Sequence, residues 1–311
     1  MRFSVLVSRI RRSGFSSILI PFPASRASKR PTRKHVKIDD EERLSPEHTY
    51  ASFHHAAKST PVQMLKMLLI VLLALLVVMF ILAYMIYKPP QIVIDYLQRR
   101  YPDVLFQIDI PPSQQVVALT IDDAPSAETG KILDLLKIHN AKVTFFVIGN
   151  QITGHTELLE RMHQEGHEIG NHAWADEPSL NLPLTELGRQ IKEVESQIPR
   201  NANANKYFRP GSGFFNAGLV EMVRELGYRV VLGGIYPHDP QIHNPKLNAK
   251  HVLSMVRPGG IIIMHDRRSY SADQIRLVLE GLTKNGWKIT SVGGLLEVAD
   301  GLKTKTTMSK R

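Results

Sequence analysis

The sequence contains no cysteine among its 311 residues. Disulfide bonds, thiolate metal ligands and a cysteine nucleophile are therefore excluded. It also lacks an Asn-x-Ser/Thr sequon, so N-glycosylation gives no indication of the compartment. The absence of cysteine neither requires nor forbids an oxidising environment.

Most of the chain has almost no excess of Lys and Arg over Asp and Glu. The formal net charge is +10, yet residues 1–66 hold 13 Lys/Arg against 5 Asp/Glu, and the remaining residues hold 26 against 24. The part expected to fold is thus nearly neutral and has no basic stripe to follow phosphates, so we expect no nucleic-acid partner. We interpret residues 1–66 as a disordered basic tail, because they are rich in Ser, Pro and Arg and lack sustained periodicity.

One long apolar run occupies residues 67–87, between Lys66 and Lys88, and contains no charged residue. As a helix it would span about 31 Å, the thickness of the hydrocarbon core of a bilayer. Because the run is apolar on every face, we predict a transmembrane helix and not a buried core helix. A cleaved signal peptide is disfavoured, since the run is too long, lies far from the N-terminus and is followed by YKPP.

The distribution of Lys and Arg predicts the orientation of this span. More of them precede residue 67 than closely follow residue 87, so the positive-inside rule places the N-terminus in the cytosol and the C-terminal part in a lumen or outside the cell. Residues 1–37 contain no acid, which also suits a mitochondrial presequence, so the mitochondrial inner membrane is the alternative location. The oligomeric state stays open.

The rest of the chain is predicted as a stem at 88–113, one large domain at 114–300 and a flexible C-terminal tail at 301–311. Within the domain, apolar strand patterns alternate with amphipathic helical patterns, which is typical of parallel βαβ units. The strands are predicted at 116–121, 142–148, 167–170, 207–209, 229–233, 260–264 and 287–290, and the helices at 129–139, 184–198, 216–226 and 272–285. About seven units predict an α/β fold, an irregular (β/α)7-type barrel.

Five short strings place an acid, a His or an Arg directly after a predicted strand. They are TIDDAPS (120–126), NHAWADEPS (171–179), FRPGSG (208–213), YPHDPQ (236–241) and IIMHD (262–266). Functional groups of β/α barrels collect at the carboxyl ends of the strands. We therefore interpret the five strings as parts of one metal-hydrolase site.

The residue types in these strings suit that chemistry. Adjacent side chains on a strand face opposite ways, so Asp122 and Asp123 can both face one site only where the strand ends and turns. Two close carboxylates repel unless a cation intervenes, which predicts one Asp as a metal ligand and the other as a base. His172 and Asp176 are four residues apart, so one face of a turn can present both to a metal.

The other strings supply candidates for acid, base and orienting roles. His265 follows four apolar residues at a strand end and lies beside an acid. Arg209 could orient a carboxylate through a charged fork. Asp239 could hold the imidazole of His265, as a base–orienter pair requires.

Over about residues 114–300, the chain resembles the NodB-homology polysaccharide deacetylases, carbohydrate esterase family 4, which includes chitin deacetylases. The resemblance rests on TIDDAPS, AKVTFFVIGN, GHEIGNH, RPGSG and GGIIIMHD. It implies metal-dependent removal of acetyl groups from N-acetylglucosamine units of a polysaccharide such as chitin, or of another amino-sugar glycan. The implied cofactor is a divalent metal ion: Zn, Mn or Co.

The resemblance also implies a role for each candidate residue. The base is Asp122, which takes a proton from a metal-activated water, and Arg209 steadies it. The backbone N–H of Ser212 stabilises the oxyanion, and His265 protonates the departing amine while Asp239 tunes its pKa. The metal ligands are Asp123, His172 and Asp176, and the substrate-binding candidates are Trp174, Phe214 and Phe215.

The chain departs from the family pattern at two positions. Asp176 stands where the family has its second metal histidine, and an Asp–His–Asp set favours oxygen-loving metals such as Mn while still accepting Zn. Ser212 stands where the family has an aromatic residue, so Phe214 or Phe215 is the candidate replacement. The fourth motif is also short. Two alternatives stay open: a catalytically silent glycan-binding domain, and an amidase acting on a small acyl amide.

Overall fold

The structure is a computed structural model, and it describes residues 60–199 and 205–308. Most of the predicted disordered tail, residues 1–59, lies outside this part. The description begins with helix α1 (Pro61–Tyr87), which starts six residues before the predicted apolar run. Proline suits the start of a helix, because the first backbone N–H groups have no partner within the helix.

Helix α1 is long and apolar enough to cross a membrane, with a mean hydropathy of 3.2 over an 18-residue window and no residue of that window buried. Its 27 residues span about 40 Å. Pro89 and Pro90 then interrupt the backbone hydrogen bonds, and α2 (Gln91–Arg100) follows within the predicted stem.

The domain alternates strands and helices as expected. Its strands are β1 (Val104–Leu105), β2 (Val116–Ala124), β3 (Thr144–Val147), β4 (Glu168–Asn171), β5 (Lys206–Phe208), β6 (Tyr228–Val231), β7 (Ile261–His265) and β8 (Lys288–Thr290). Its helices are α3 (Thr129–Ile138), α4 (Thr156–Gln164), α5 (Leu184–Glu195), α6 (Ala217–Glu225), α7 (Pro245–Leu253), α8 (Ser271–Lys284) and α9 (Val292–Met308). All seven predicted strands are present, with ends within three residues of the prediction.

The sheet confirms the predicted α/β fold. Its strands run parallel in the order β1-β6-β5-β4-β3-β2-β7, and β8 pairs with the first residues of β2. Two isolated bridges, Gln107 with Gly260 and Ile235 with Ile262, join the segments after β1 and β6 to β7. The sheet therefore curls into an irregular, partly closed barrel, and the carboxyl ends of its strands meet around one opening.

The core lies between this sheet and the helices around it. Every residue of β2 is buried, as is typical of a parallel strand covered on both faces. One apolar cluster joins β2, β3 and β7 to helices α3, α4 and α8, and a second joins β5 and β6 to α2, α5 and α6. These clusters fix the strands whose ends carry the candidate residues.

The structure differs from the sequence interpretation at both edges of the domain. The predicted stem supplies the edge strand β1, whose Val104 and Leu105 pair with Val230 and Val231 of β6. The first part of the predicted tail continues helix α9 to Met308, and its Leu302 packs against a third apolar cluster that contains Val292, Leu295 and Ala299. Helices α4, α7 and α9 are not among the helices predicted from the sequence.

Candidate active site

The five strings converge on one cavity of about 660 Å³ at the carboxyl ends of the strands. Each string contributes at least one residue to its lining. The predicted site residues that line it are Asp122, Asp123, His172, Asp176, Arg209, Ser212, Phe214 and His265.

Four of the strings hold one non-glycine residue in the left-handed region of the backbone, and a fifth such residue directly follows the last string. Such residues cost about 1 kcal/mol or more and collect at functional sites, where surrounding contacts hold them in place. In chain order they are Asp123, Ala173, Ser212, His238 and Arg267, with φ between 60° and 73°. The backbone at all five strand ends is thus bent in the same way to aim side chains at the cavity.

At the first of these positions the bend explains how two adjacent aspartates serve one site. The pairing of β2 with β3 shifts register between Asp122 and Ala124, so Asp123 is an extra residue in the strand. Its φ of 63° turns the chain without ending the strand. The sequence interpretation expected the strand to end there; instead a bulge achieves the same result.

Asp122 is held by a buried arginine. Nη1 of Arg209 donates to Oδ1 of Asp122 at 2.5 Å and to Oγ1 of Thr120 at 2.7 Å, and Nε donates to the carbonyl of Val231 at 3.1 Å. The guanidinium also lies 4.1 Å from the centre of the Phe146 ring. A charge-assisted hydrogen bond of this kind fixes the orientation of the Asp122 carboxylate at the cavity.

His265 is held by a buried acid. Nδ1 of His265 lies 2.7 Å from Oδ1 of Asp239, and Oδ2 of Asp239 accepts from Nε2 of Gln274 at 3.1 Å. Tyr270 donates its hydroxyl to the carbonyl of Asp239 at 2.6 Å. Burial lowers the pKa of His265, but the bond to Asp239 and the charges of Asp239 and Asp122 outweigh it, so the pKa is raised.

The base and acid candidates are neighbours in the sheet. Asp122 and His265 are register partners on the adjacent parallel strands β2 and β7. Register partners on neighbouring strands are about 5 Å apart and direct their side chains to the same face. One carboxylate and one imidazole, each with its own orienting partner, therefore point into the same cavity.

Asp123 and His172, two of the predicted metal ligands, lie side by side in the cavity. Nδ1 of His172 is engaged by the carbonyl of Arg209 at 2.6 Å, which leaves Nε2 as the lone-pair nitrogen, 3.8 Å from Oδ1 of Asp123. Burial raises the pKa of Asp123, an effect that the positive charges of His172 and His265 oppose. A buried carboxyl beside an oriented imidazole is a donor pair that suits a divalent cation.

Asp176, the third expected ligand, is engaged elsewhere. Its Oδ2 accepts from Nη2 of Arg267 at 2.5 Å, and both side chains are more than 40% exposed. In residues 60–199 and 205–308, no three His, Cys, Asp or Glu side chains are grouped closely enough to hold a metal ion. Of the three predicted ligands, Asp123 and His172 are neighbours in the cavity, whereas Asp176 forms an ion pair with Arg267.

The predicted substrate-binding aromatics have three different environments. Phe214 lines the cavity and is 66% exposed. Phe215 packs against the second apolar cluster, with its ring 5.0 Å from that of Tyr101. Trp174 packs against the first apolar cluster beside Gly149, where any Cβ would lie 2.4 Å from the indole. Only Phe214 is placed to touch a ligand in the cavity.

Sequence reasoning missed two arginines at the site. Arg267 and Arg268 lie two and three residues after His265, and their guanidinium nitrogens lie 3.9 and 3.8 Å from Oδ2 of Asp123. The signal was present, because IIMHD continues as IIMHDRR. It was overlooked because exposed arginine pairs are common, and only the fold turns this one toward the acids.

Asp266, between His265 and Arg267, fixes the loop that carries the two arginines. Oδ1 of Asp266 accepts from Oγ of Ser126 at 2.7 Å, its other oxygen accepts from Thr129, and the backbone N–H of Arg267 donates to Oδ1 at 2.6 Å. Asp266 is fully buried, so it ties the loop after β7 to the turn after β2.

Known proteins that are similar to this chain are polysaccharide deacetylases. The polysaccharide deacetylase family model matches residues 109–231. The solved structure of the peptidoglycan deacetylase PdaC from Bacillus subtilis is 32% identical, with a TM-score of 0.59, and the match covers 65% of this chain and 99% of that one. This chain belongs to the polysaccharide deacetylase family.

Other matches define the range of relatives. The full-length peptidoglycan-N-acetylmuramic acid deacetylase PdaC of B. subtilis is 33% identical over 191 residues, which cover 61% of this chain and 40% of PdaC. A peptidoglycan-N-acetylglucosamine deacetylase of Bacillus cereus is 29% identical over 60% of this chain and 91% of its own length. The structure of a mutant of BA3943, a CE4 family pseudoenzyme with restored enzymatic activity, is 26% identical, with a TM-score of 0.54, covering 60% of this chain and 69% of that one.

Proposed function

We propose that this protein is a hydrolase that removes N-acetyl groups from an amino-sugar glycan. The observation that carries the proposal is the register pairing of Asp122 with His265, each with its own buried orienting partner. Amide hydrolysis needs a base to activate water and an acid to protonate the leaving nitrogen, and both groups must face the same bond.

In the proposed reaction, Asp122 accepts a proton from water as the water oxygen attacks the acetyl carbonyl carbon. Arg209 keeps the carboxylate in one orientation throughout. The N–H of Ser212, which lines the cavity, would stabilise the negative charge that develops on the carbonyl oxygen. His265 then gives its proton to the amide nitrogen while the C–N bond breaks, which yields acetate and a free amino sugar.

A divalent metal is part of this proposal. Asp123 and His172 would hold the ion. Asp176 would become the third ligand when its ion pair with Arg267 breaks. When bound, such an ion supplies Lewis acidity that lowers the pKa of water and polarises a carbonyl. Oxygen donors in two of three positions suit Mn or Co as well as Zn.

The substrate class follows from the relatives more than from the cavity. The matched enzymes act on peptidoglycan, according to their names. We propose an N-acetylated amino-sugar glycan as the substrate, with chitin and peptidoglycan as two members of that class. Phe214 is the candidate surface for a sugar ring, because it is the exposed aromatic side chain beside Ser212.

We also propose that α1 anchors the enzyme in a membrane, with the N-terminus in the cytosol and the catalytic domain in a lumen or outside the cell. The length and full exposure of its apolar side chains support this. Residues 1–66 carry the excess of Lys and Arg, and the positive-inside rule keeps that side in the cytosol. Protease added to intact cells should cleave a C-terminal tag and spare an N-terminal one; the opposite pattern would overturn the orientation.

A catalytically silent glycan-binding domain is the second candidate. The ion pair between Asp176 and Arg267 favours it, because it engages the third expected ligand. The full chain in detergent should therefore be tested for bound metal and for acetate release from N-acetylchitotetraose, from peptidoglycan fragments and from a small acyl amide. Acetate from the glycans that a chelator abolishes supports the enzyme. Glycan binding without acetate supports the silent domain, and acetate from the small amide alone supports an amidase.

A further inference from the structure

The cavity has two walls of different character. One carries the charged groups of the five strings, including Asp122 and His265. The other is apolar: it is formed by Ile86, Val93 and Leu97, together with the edges of Ile94, Phe106 and Leu232, which are mostly buried in the second apolar cluster. These apolar side chains come from the last turn of α1, from α2 and from the segments directly after β1 and β6.

The apolar wall is poorly matched to a sugar chain alone. Sugar rings offer hydroxyl groups, which need polar partners or the flat face of an aromatic ring. A patch of branched aliphatic side chains leaves those hydroxyl groups without hydrogen bonds, at a cost in binding free energy. The same patch is well matched to a hydrocarbon chain, whose burial is favourable in proportion to its apolar area.

The position of this wall also indicates where a hydrocarbon chain would come from. Ile86 is 78% exposed and lies one residue before the end of the apolar helix α1. The next residue is fixed to the domain: His238 donates from Nε2 to the carbonyl of Tyr87 at 2.7 Å, and the two rings stack at 4.8 Å. Lys88 donates to Oγ of Ser254 at 2.9 Å.

The end of α1 is thus attached directly to the loop that positions the catalytic acid, since His238 precedes Asp239 in the chain. No flexible linker separates the bilayer-length helix from the cavity. A chain that leaves a membrane alongside α1 meets Ile86 first, then α2, and then the charged wall.

We propose that the substrate is an N-acetylated amino sugar joined to a hydrocarbon chain that is anchored in the same membrane as α1. The sugar lies at Asp122 and His265, and the first methylenes of the chain lie against α2. This inference rests on the proposed deacetylase activity and on the proposed anchoring, and it narrows the substrate from a free polymer to a membrane-held glycolipid.

The test uses the full chain in phosphatidylcholine nanodiscs with three probes: hexadecyl N-acetylglucosaminide, methyl N-acetylglucosaminide and N-acetylchitotetraose. Acetate release is followed for each. Because each buried methylene contributes about fourfold in binding, kcat/KM for the hexadecyl glycoside should exceed that for the methyl glycoside by at least about tenfold.

Partition of the hexadecyl probe into the bilayer would also raise its rate, so variants of the wall separate the two effects. Leu97→Ser and Ile86→Ser should each lower the ratio of hexadecyl to methyl rates several-fold. Ile86 is exposed, so its variant tests the wall without risk to folding. The matched control is Ile138→Ser, which changes a 76% exposed isoleucine on α3, away from the cavity.

The outcomes distinguish the inference from the function on which it rests. A lowered ratio in the two wall variants, with Ile138→Ser like wild type, supports the inference. A preference for N-acetylchitotetraose, or a hexadecyl preference that the wall variants leave unchanged, overturns it and leaves the deacetylase intact. No acetate from any probe overturns the proposed function, and this inference with it.

Discussion

Oδ1 of Asp239 lies 2.7 Å from Nδ1 of His265, although 26 residues separate them in the chain. The loop that carries Asp239 is the one that receives the end of α1 through His238. The orientation of His265, the proposed acid, is therefore linked through Asp239 and His238 to the end of helix α1. This pair makes the proposed chemistry sensitive to pH.

Asp239→Asn should lower kcat by about 10² or more, because His265 loses the negative charge that orients its ring and favours its protonated form. Asp239 helps to raise the pKa of His265, so the acid form persists to higher pH and activity is lost as pH rises through that raised pKa. Without the charge, the alkaline limb of the kcat–pH profile should move to lower pH. Asp273→Asn, an exposed acid on α8, is the control. An unmoved limb in Asp239→Asn would contradict this role.

The buried pair of Arg209 and Asp122 should behave as a unit in stability measurements. Arg209→Met leaves the Asp122 carboxylate buried without its partner and should destabilise the domain by roughly 3–5 kcal/mol. Adding Asp122→Asn should recover part of that loss, since the second change removes the unpaired charge. Denaturant unfolding of Arg209→Met, Asp122→Asn and the double variant checks this. Simple additivity of the two single effects would show that the pair is not coupled.

The rim ion pair should compete with metal binding. Arg267→Ala frees Asp176 to act as a ligand and should raise the affinity for Zn²⁺ or Mn²⁺ by about tenfold, whereas Asp123→Ala should nearly abolish binding. Calorimetric titration of the full chain measures both. Arg276→Ala is the control, because Arg276 is a similarly exposed arginine in ion pairs on α8. Equal affinities in Arg267→Ala and wild type would remove Asp176 from the ligand set.

The domain should become less stable as the pH is lowered, because His167 is buried in its neutral form. Burial lowers the pKa of His167 to about 4, with the nearby charge of Lys142 acting in the same direction. The unfolded chain has the ordinary value near 6.5 and binds a proton first, so stability is full above about pH 6.5 and is lost as pH falls toward 4. The loss from this group is about 3 kcal/mol.

The matched variant is His167→Leu, which removes the titrating group from its site between β3 and the α4–β4 turn. Val143 donates its N–H to Nδ1 of His167 at 3.3 Å, so the variant should be less stable at pH 7. Its stability should nevertheless change less between pH 6.5 and 4 than that of wild type. A pH slope as steep as that of wild type would assign the acid sensitivity to other groups.

The sequence predicted the fold because its signals are local. Continuous apolar strands and amphipathic helices appear in the pattern of neighbouring residues, and all seven predicted strands are present. The sequence also predicted that the five strings meet at one cavity, because strand-end positions in parallel sheets share one edge. The contact between Asp239 and His265 forms only after the chain has passed through α7.

Other features depend on contacts between distant segments and could not be read from the pattern. The ion pair of Asp176 with Arg267 joins residues 91 positions apart, and the bulge at Asp123 depends on pairing with β3. Trp174 and Phe215 are aromatic residues within or beside the five strings, which suits sugar stacking, yet neighbouring apolar clusters bury part of each ring. The edge strand β1 has only two residues, too few for a periodic signal.

The central claim is that Asp122 acts as the base of an N-acetyl hydrolase. Acetate release from N-acetylated amino-sugar substrates should be measured for wild type and Asp122→Asn at equal metal loading. The account predicts metal-dependent release by wild type and a loss of at least about 10² in kcat for the variant, with metal binding retained. Release by Asp122→Asn at the wild-type rate would contradict it.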